Sequence, residues 1–199
     1  MELNEKTLRK LNSELKKMFT GNKKLKENRP ILNSLHYTED GHVEFTNSHV
    51  AVRIKNVHEE PEHTVPEDLG SYPNLGRLFD GAETGVIRFQ LDTKLMSDML
   101  SPFKTAKCEY VKLTINDDGI TFTPDNSESI VEAHLQIPVD IEDELRIALN
   151  VQYLYNAMMF FKTQKMFTVD VIASSQVRPL LLVHDNVQYL LTPVRVGWE

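Results

Sequence analysis

Cysteine is nearly absent. Cys108 is the only one in 199 residues, which excludes an intrachain disulfide framework and any cysteine-based zinc site. Long apolar runs are missing too. No stretch approaches the ~18 residues a membrane helix needs, and the first ten residues lack the apolar segment of a signal peptide. Glycine is sparse, eight in all and scattered. None builds a G-x-G-x-x-G or G-x-x-x-x-G-K-[ST] phosphate loop, or a G-x-S-x-G nucleophile elbow. These absences lead us to expect a cytoplasmic chain with no structural metal, no cofactor and no membrane partner.

Catalytic groupings are equally thin. His58 and His63 flank an acidic stretch at i, i+5, and Pro61 breaks the helix a zincin-type motif needs, so this reads as a solvated acidic loop. Cys108 opens a strand with no His partner at a readable spacing. The other histidines (His36, His42, His49, His134 and His184) lie on strands at unrelated spacings. The expectation is a protein that is not an enzyme.

What is present begins with a charge split. Apolar residues make up 41% of the chain and charged residues 26%, enough for a folded core. The formal charge is -7 overall. Residues 1–29 hold nine Lys and Arg against four Glu, a net +5. The other 170 residues hold 13 basic and 25 acidic side chains, a net -12. An acidic body repels nucleic acid, so any nucleic-acid contact is local to the basic segment.

That segment has the spacing of an amphipathic helix. Leu8, Leu11, Leu15, Met18 and Phe19 share one face, with Lys6, Arg9, Lys10, Lys16 and Lys17 opposite. Asn4 is a suitable N-cap and Gly21 a suitable stop. The basic face reads either as solvated surface or as a nucleic-acid contact. Strands are then predicted at Pro30–Thr38, His42–Phe45 and Val50–Lys55, the first two joined through Asp40-Gly41. Residues 56–84 show little pattern beyond a turn of helix near Gly76–Asp80.

The arrangement recurs twice. Gly85–Leu91 is a strand, and Asp92 caps a helix to about Lys104 that turns Leu95, Met96, Met99 and Phe103 to a core and ends or kinks at Pro102. Strands follow at Glu109–Ile115, Ile120–Pro124 and Glu128–Ile137. Leu145–Leu149 is again a strand, and Asn150 caps a helix to Lys162. Strands at Phe167–Ala173, Pro179–His184 and Val187–Thr192 complete the third pass. A helix followed by three strands, three times over, argues for duplication of one α+β unit.

The later motifs carry a resemblance. Leu149-Asn150-Val151-Gln152-Tyr153-Leu154, followed by Tyr189-Leu190-Leu191-Thr192-Pro193-Val194-Arg195-Val196, resembles the F-N-x-x-Y-L and Y-x-x-M-P-x-R-L segments of the last domain of the bacterial sliding clamp, the beta subunit of DNA polymerase III. Asn126–Ala133 is similar to that family's N-x-E-x-x-x-A-E-E strand. Arg29–Leu35 is similar to the first long strand of its middle domain, and Thr46-Asn47-Ser48-His49 to its T-D-G-H-R-L loop. Tyr72-Pro73-Asn74-Leu75-Gly76-Arg77-Leu78 resembles the F-P-D-Y-x-R-V joining segment. The matches run in the family's order across most of the chain.

The resemblance implies an α+β DNA-clamp (processivity) fold truncated to about one and a half domains: a half clamp unit at 1–56, a linker at 57–84 and a complete clamp-like domain at 85–199. It implies a non-catalytic processivity factor of DNA replication. Lys6, Arg9, Lys10, Lys16 and Lys17 would contact double-stranded DNA without reading sequence, extended by Lys94 and Lys104. An apolar cleft for peptides of DNA polymerase or other clamp-binding proteins would be formed by Leu32, Thr46, His49, Val50, Pro73, Arg77, Leu78, Asn150, Tyr153, Val177, Pro179, Leu191, Pro193, Val194 and Arg195. Leu32, Val177, Leu191 and Val194 read equally as core. Thr192 stands where the family has Met, and Ser48 where it has Gly. A half domain leaves sheet edges open, so a homodimer or higher assembly is expected. The alternative implied is a decoy that competes for clamp partners without encircling DNA.

Overall fold

The computed structural model describes residues 29–65, 69–125 and 131–198. The predicted basic helix, and residues 128–130 of the strand predicted at Glu128–Ile137, lie outside them. The described residues form two compact units, one within residues 29–77 with 185–189 and one within residues 78–184 with 190–198. The fold is α+β, with antiparallel strand pairing throughout the described ladders.

In the first unit, β1 (Leu35–Tyr37), β2 (Val43–Thr46), β3 (Val50–Ile54) and β4 (His63–Val65) lie side by side in the order β4-β1-β2-β3. Lys55, just after β3, donates its N–H to Asn186 O at 2.8 Å and accepts from Asn186 Nδ2 at 2.9 Å. Gly41 takes φ +78° in the β1–β2 turn, as the Asp-Gly signal predicts. The strand predicted from Pro30 starts later. Pro30–Asn33 is a 3-10 turn closed by Ser34 N–H on Ile31 O at 3.2 Å, because proline's fixed φ suits the first position of a helical turn.

Residues 56–84 carry more structure than their pattern shows. β4 forms by pairing Tyr37 with His63 and Leu35 with Val65. The histidines are anchored, not loosely solvated. His63 stacks on Tyr37 at 4.3 Å between ring centroids, and His58 meets the same ring edge-on at 5.0 Å. His58 Nε2 also lies 2.8 Å from His42 O. The helix predicted as a turn runs over Gly76–Glu83 (α1) and buries Phe79 and Ala82.

The second unit displays the duplication directly. Its first half is β5 (Ile87–Asp92), α2 (Thr93–Thr105), β6 (Tyr110–Asn116), β7 (Gly119–Pro124) and β8 (Ala133–Leu135). Its second half begins β9 (Leu145–Asn150), α3 (Val151–Thr163), β10 (Thr168–Ala173) and β11 (Leu180–His184). Each half lends its first strand to the sheet of the other. β9 joins β6 in the order β8-β7-β6-β9, and β5 joins β10 beside β11. The two ladders have the same length and phase: Tyr110↔Asn150 through Ile115↔Leu145, and Thr168↔Asp92 through Ala173↔Ile87.

The helix ends repeat as well. Asp92 Oδ1 accepts from Leu95 N–H at 2.7 Å and Asn150 Oδ1 from Tyr153 N–H at 3.1 Å, each satisfying an orphan donor of the first turn. Both helices have 13 residues. Both close with paired bonds, Cys108 N–H to Phe103 O and Lys107 N–H to Lys104 O, then Met166 N–H to Phe161 O and Lys165 N–H to Lys162 O. This is the Schellman arrangement, with lysine where glycine is usual. Lys107 and Lys165 hold φ +58° and +62°. Replacing either by Gly relieves the Cβ strain and is expected to raise stability by ~1 kcal/mol, read as an upward shift in thermal midpoint.

The core lies where α2 and α3 pack together above the sheets. Met96, Leu100, Phe103, Phe160 and Phe161 are at most 1% exposed. One expectation for α2 is corrected, the inward placing of Leu95 and Met99. Leu95 is 45% exposed and Met99 half-buried, because the buried stripe runs through Met96, Leu100 and Phe103. The helix runs three residues past Pro102, to Thr105, close to its predicted end at Lys104. The carbonyl that proline leaves without a donor belongs to Asp98, an exposed residue.

Candidate peptide and nucleic-acid contacts

Of the cationic side chains singled out by sequence, Lys6, Arg9, Lys10, Lys16 and Lys17 lie outside the described residues. Lys94 is exposed on α2. Lys104 is engaged instead: its Nζ sits 3.5 Å from the centroid of the Tyr155 ring, and burial lowers its pKa.

In the first unit the candidate cleft residues separate by burial. Leu32, Thr46 and Val50 are 5%, 3% and 1% exposed. Thr46 is consumed by its own turn, its Oγ1 donating to Val50 O at 2.7 Å and accepting from Ser48 N–H at 3.2 Å. Asn47 Oδ1 accepts from the N–H groups of His49 and Val50, both at 3.0 Å. This clamp fixes a loop in which Ser48 has φ +78°, the conformation that makes glycine common there. The loop leaves the His49 side chain exposed. Arg77 is exposed as well, and Pro73 is half-buried.

Beside Pro73, the Tyr72 ring stacks on His36 at 4.4 Å. Its hydroxyl is buried with no hydrogen-bond partner. Burial, with the charge of Glu44 adding to it, pushes the phenol well above its ordinary pKa. Burial likewise lowers His36, against the opposing charge of Glu62.

In the second unit Asn150 ends β9 and Tyr153 follows it closely, and Val194 bonds back to that strand. Asn150 is spent on capping α3, and that cap places Tyr153, half-buried, on the first turn. The segment after β12 (Val187–Leu191) returns to the same place, for Val194 N–H donates to Ala148 O at 2.8 Å. Pro193 and Val194 are half-buried and Arg195 is exposed. Leu191 is core at 1% exposure. Val177 is 59% exposed and Leu78 46%, and Pro179 is half-buried.

Trp198 lies beyond the last motif and is half-buried. Its ring lies 5.6 Å from Lys112 Nζ on β6. Lys112 pairs with Ala148, the residue that receives Val194, so the tail runs across β9 toward β6. Among the described residues no three His, Cys, Asp or Glu side chains group to hold a metal ion, and no helix is long and apolar enough to cross a membrane.

Compared by sequence, the chain matches no protein-family model and no curated protein. Compared by structure, it is similar to bacterial sliding clamps. A Helicobacter pylori beta clamp bound to a DNA ligase peptide superposes with a TM-score of 0.72 at 13% identity, over 94% of this chain and 64% of that one. A DnaN sliding clamp (DNA polymerase III subunit beta) from Bartonella birtlesii, bound to griselimycin, gives 0.72 at 17% identity over the same shares. The DNA polymerase sliding clamp of Bacillus subtilis gives 0.70 at 16%, over 95% of this chain and 63% of that one. The chain thus has the sliding-clamp fold and spans about 64% of the length of these clamps.

Proposed function

We propose that the chain is a non-catalytic, clamp-like accessory protein of DNA replication. The clamp fold over 94% of the chain carries this reading. The return of Val194 to Ala148 of β9, the strand that ends in Asn150 and leads to Tyr153, supports it, for apolar side chains with a cation such as Arg195 among them suit a short docking peptide. The Helicobacter pylori clamp is bound to a peptide of DNA ligase, and peptides of that class are the partners proposed here. The basic face of residues 6–17 binds duplex DNA through phosphates, without reading sequence. β4 and β8 end their strand orders among the described residues, and edges of this kind favour pairing with a second chain. A homodimer or larger assembly is therefore part of the reading.

The test measures duplex affinity, peptide affinity and solution mass on the full chain. Five phosphate contacts should make duplex binding fall on the order of 10²–10³-fold between 50 and 200 mM salt. Lys10→Glu with Lys17→Glu should weaken it by at least ~10-fold and flatten the salt dependence. Tyr153→Ala should weaken a DNA ligase peptide by about 10-fold or more. Sedimentation at micromolar concentration should give a dimer or larger species. A monomer indifferent to both duplex and peptide overturns the reading. Peptide binding without any DNA binding identifies the decoy instead.

A further inference from the structure

A groove of about 800 Å³ opens in the second unit at the N-terminal end of β9. That volume lies within the range of built ligand sites. It is some five residues, roughly 17 Å along the strand, from the Asn150 end discussed above. Its apolar lining is Val86, Ile87, Ile141 and Leu145. Ile87 and Leu145 are 8% and 7% exposed, whereas Val86 is 81% exposed.

The walls are fixed by backbone. Ile87 pairs with Ala173, and Gly85 packs so closely that an added Cβ would stand 2.7 Å from Ala173 O. Ser174, Ser175 and Gln176 then enter the lining from the connection after β10.

The charge of the groove is one-sided. Asp140, Glu142 and Asp143 line it as exposed carboxylates, with no ion pair to them among the described residues. Glu144 is already matched by Arg146, whose Nε lies 2.6 Å from Oε1. Like charge excludes nucleic acid and acidic peptides. Three unmatched carboxylates around an apolar trough favour cations flanking a side chain able to cover Val86 and reach Ile87 and Leu145.

We propose that this groove docks a peptide segment of a partner protein in which apolar side chains are flanked by Lys or Arg. The apolar residues would bury Val86 and the groove floor, and the cations would meet Asp140, Glu142 and Asp143. The site is independent of the proposed replication role.

The experiment titrates the full chain into fluorescein-labelled peptides and reads anisotropy. The probe is KKLFKK; the comparisons are EELFEE, which reverses the charge, and KKGSKK, which removes the apolar pair. KKLFKK should bind at least ~10-fold tighter than either. Glu142→Lys with Asp143→Lys should weaken it ~10-fold or more, and so should Val86→Asp. All three positions are exposed, so folding is spared, and an unchanged thermal midpoint verifies that. Equal binding of KKGSKK and KKLFKK would reduce the site to non-specific attraction and overturn the proposal. So would wild-type affinity in both variants, or no binding of KKLFKK at millimolar peptide.

Discussion

Arg53→Ala is expected to cost about 3–5 kcal/mol of stability. Glu44 and Arg53 face each other across β2 and β3 and are 2% and 6% exposed. Arg53 donates to one carboxylate oxygen from Nε at 2.8 Å and from Nη2 at 2.7 Å. Removing the guanidinium takes a charged partner from a carboxylate that is 2% exposed, so its desolvation cost is less fully offset. Replacing both partners by apolar groups removes that cost, so Glu44→Leu with Arg53→Met should recover most of the loss. Urea denaturation of the two single variants and the pair isolates the coupling. A loss under 1 kcal/mol in Arg53→Ala would mean that water reaches Glu44.

Gly119→Ala is the second large effect, a loss of roughly 3 kcal/mol or more. Gly119 follows Asp118 in the β6–β7 turn with φ +129°, a conformation costly for any residue with a Cβ. Space compounds the strain. The added Cβ would lie 2.2 Å from Leu135 O and 3.1 Å from Gln136 Cα, which is backbone of β8 and its continuation and cannot rotate away. The variant should lose hydrogen-exchange protection first along the β7–β8 ladder, Ile120↔Leu135 to Phe122↔Ala133. Gly81→Ala is the matched control. It sits inside α1 with nothing within 4 Å of an added Cβ and should stabilise by ~0.5–1 kcal/mol. Equal effects of the two substitutions would dismiss the steric argument.

The features readable from sequence are those whose physics is local. Asp92 and Asn150 announced their helices because an N-cap bond reaches only three residues ahead. Asp-Gly at 40–41 announced a turn for a similar reason. β4 could not be read, since three residues acquire strand geometry only by pairing with β1. Leu95 was misassigned because its spacing fits the apolar stripe of α2 but its position falls at the edge.

The candidate contacts divide the same way. Asn150 and Tyr153 were legible as a capped first turn. The burial of Leu32, Thr46 and Val50 is a tertiary property, and motif order carries no information about it. The run Asp140-Ile141-Glu142-Asp143-Glu144 is plain in sequence as charge. Only the β5–β10 ladder brings Val86, Ile87 and residues 174–176 to it. The Glu44–Arg53 pair was invisible, because alternating polar positions on a strand ordinarily face water.

The exchange of first strands within the second unit sets a timetable for its assembly. β9 finds its partner β6 some 30 to 40 residues back along the chain. β5 must wait for β10, 76 to 86 residues ahead. The sheet of β6 waits for β9 and that of β5 for β10, so the first half leaves the ribosome with β5 unclaimed and the β6 edge open. Contacts this distant slow folding and prolong the exposure of unpaired edges. The doubled architecture thus places the aggregation hazard of this chain in the interval before β10 emerges.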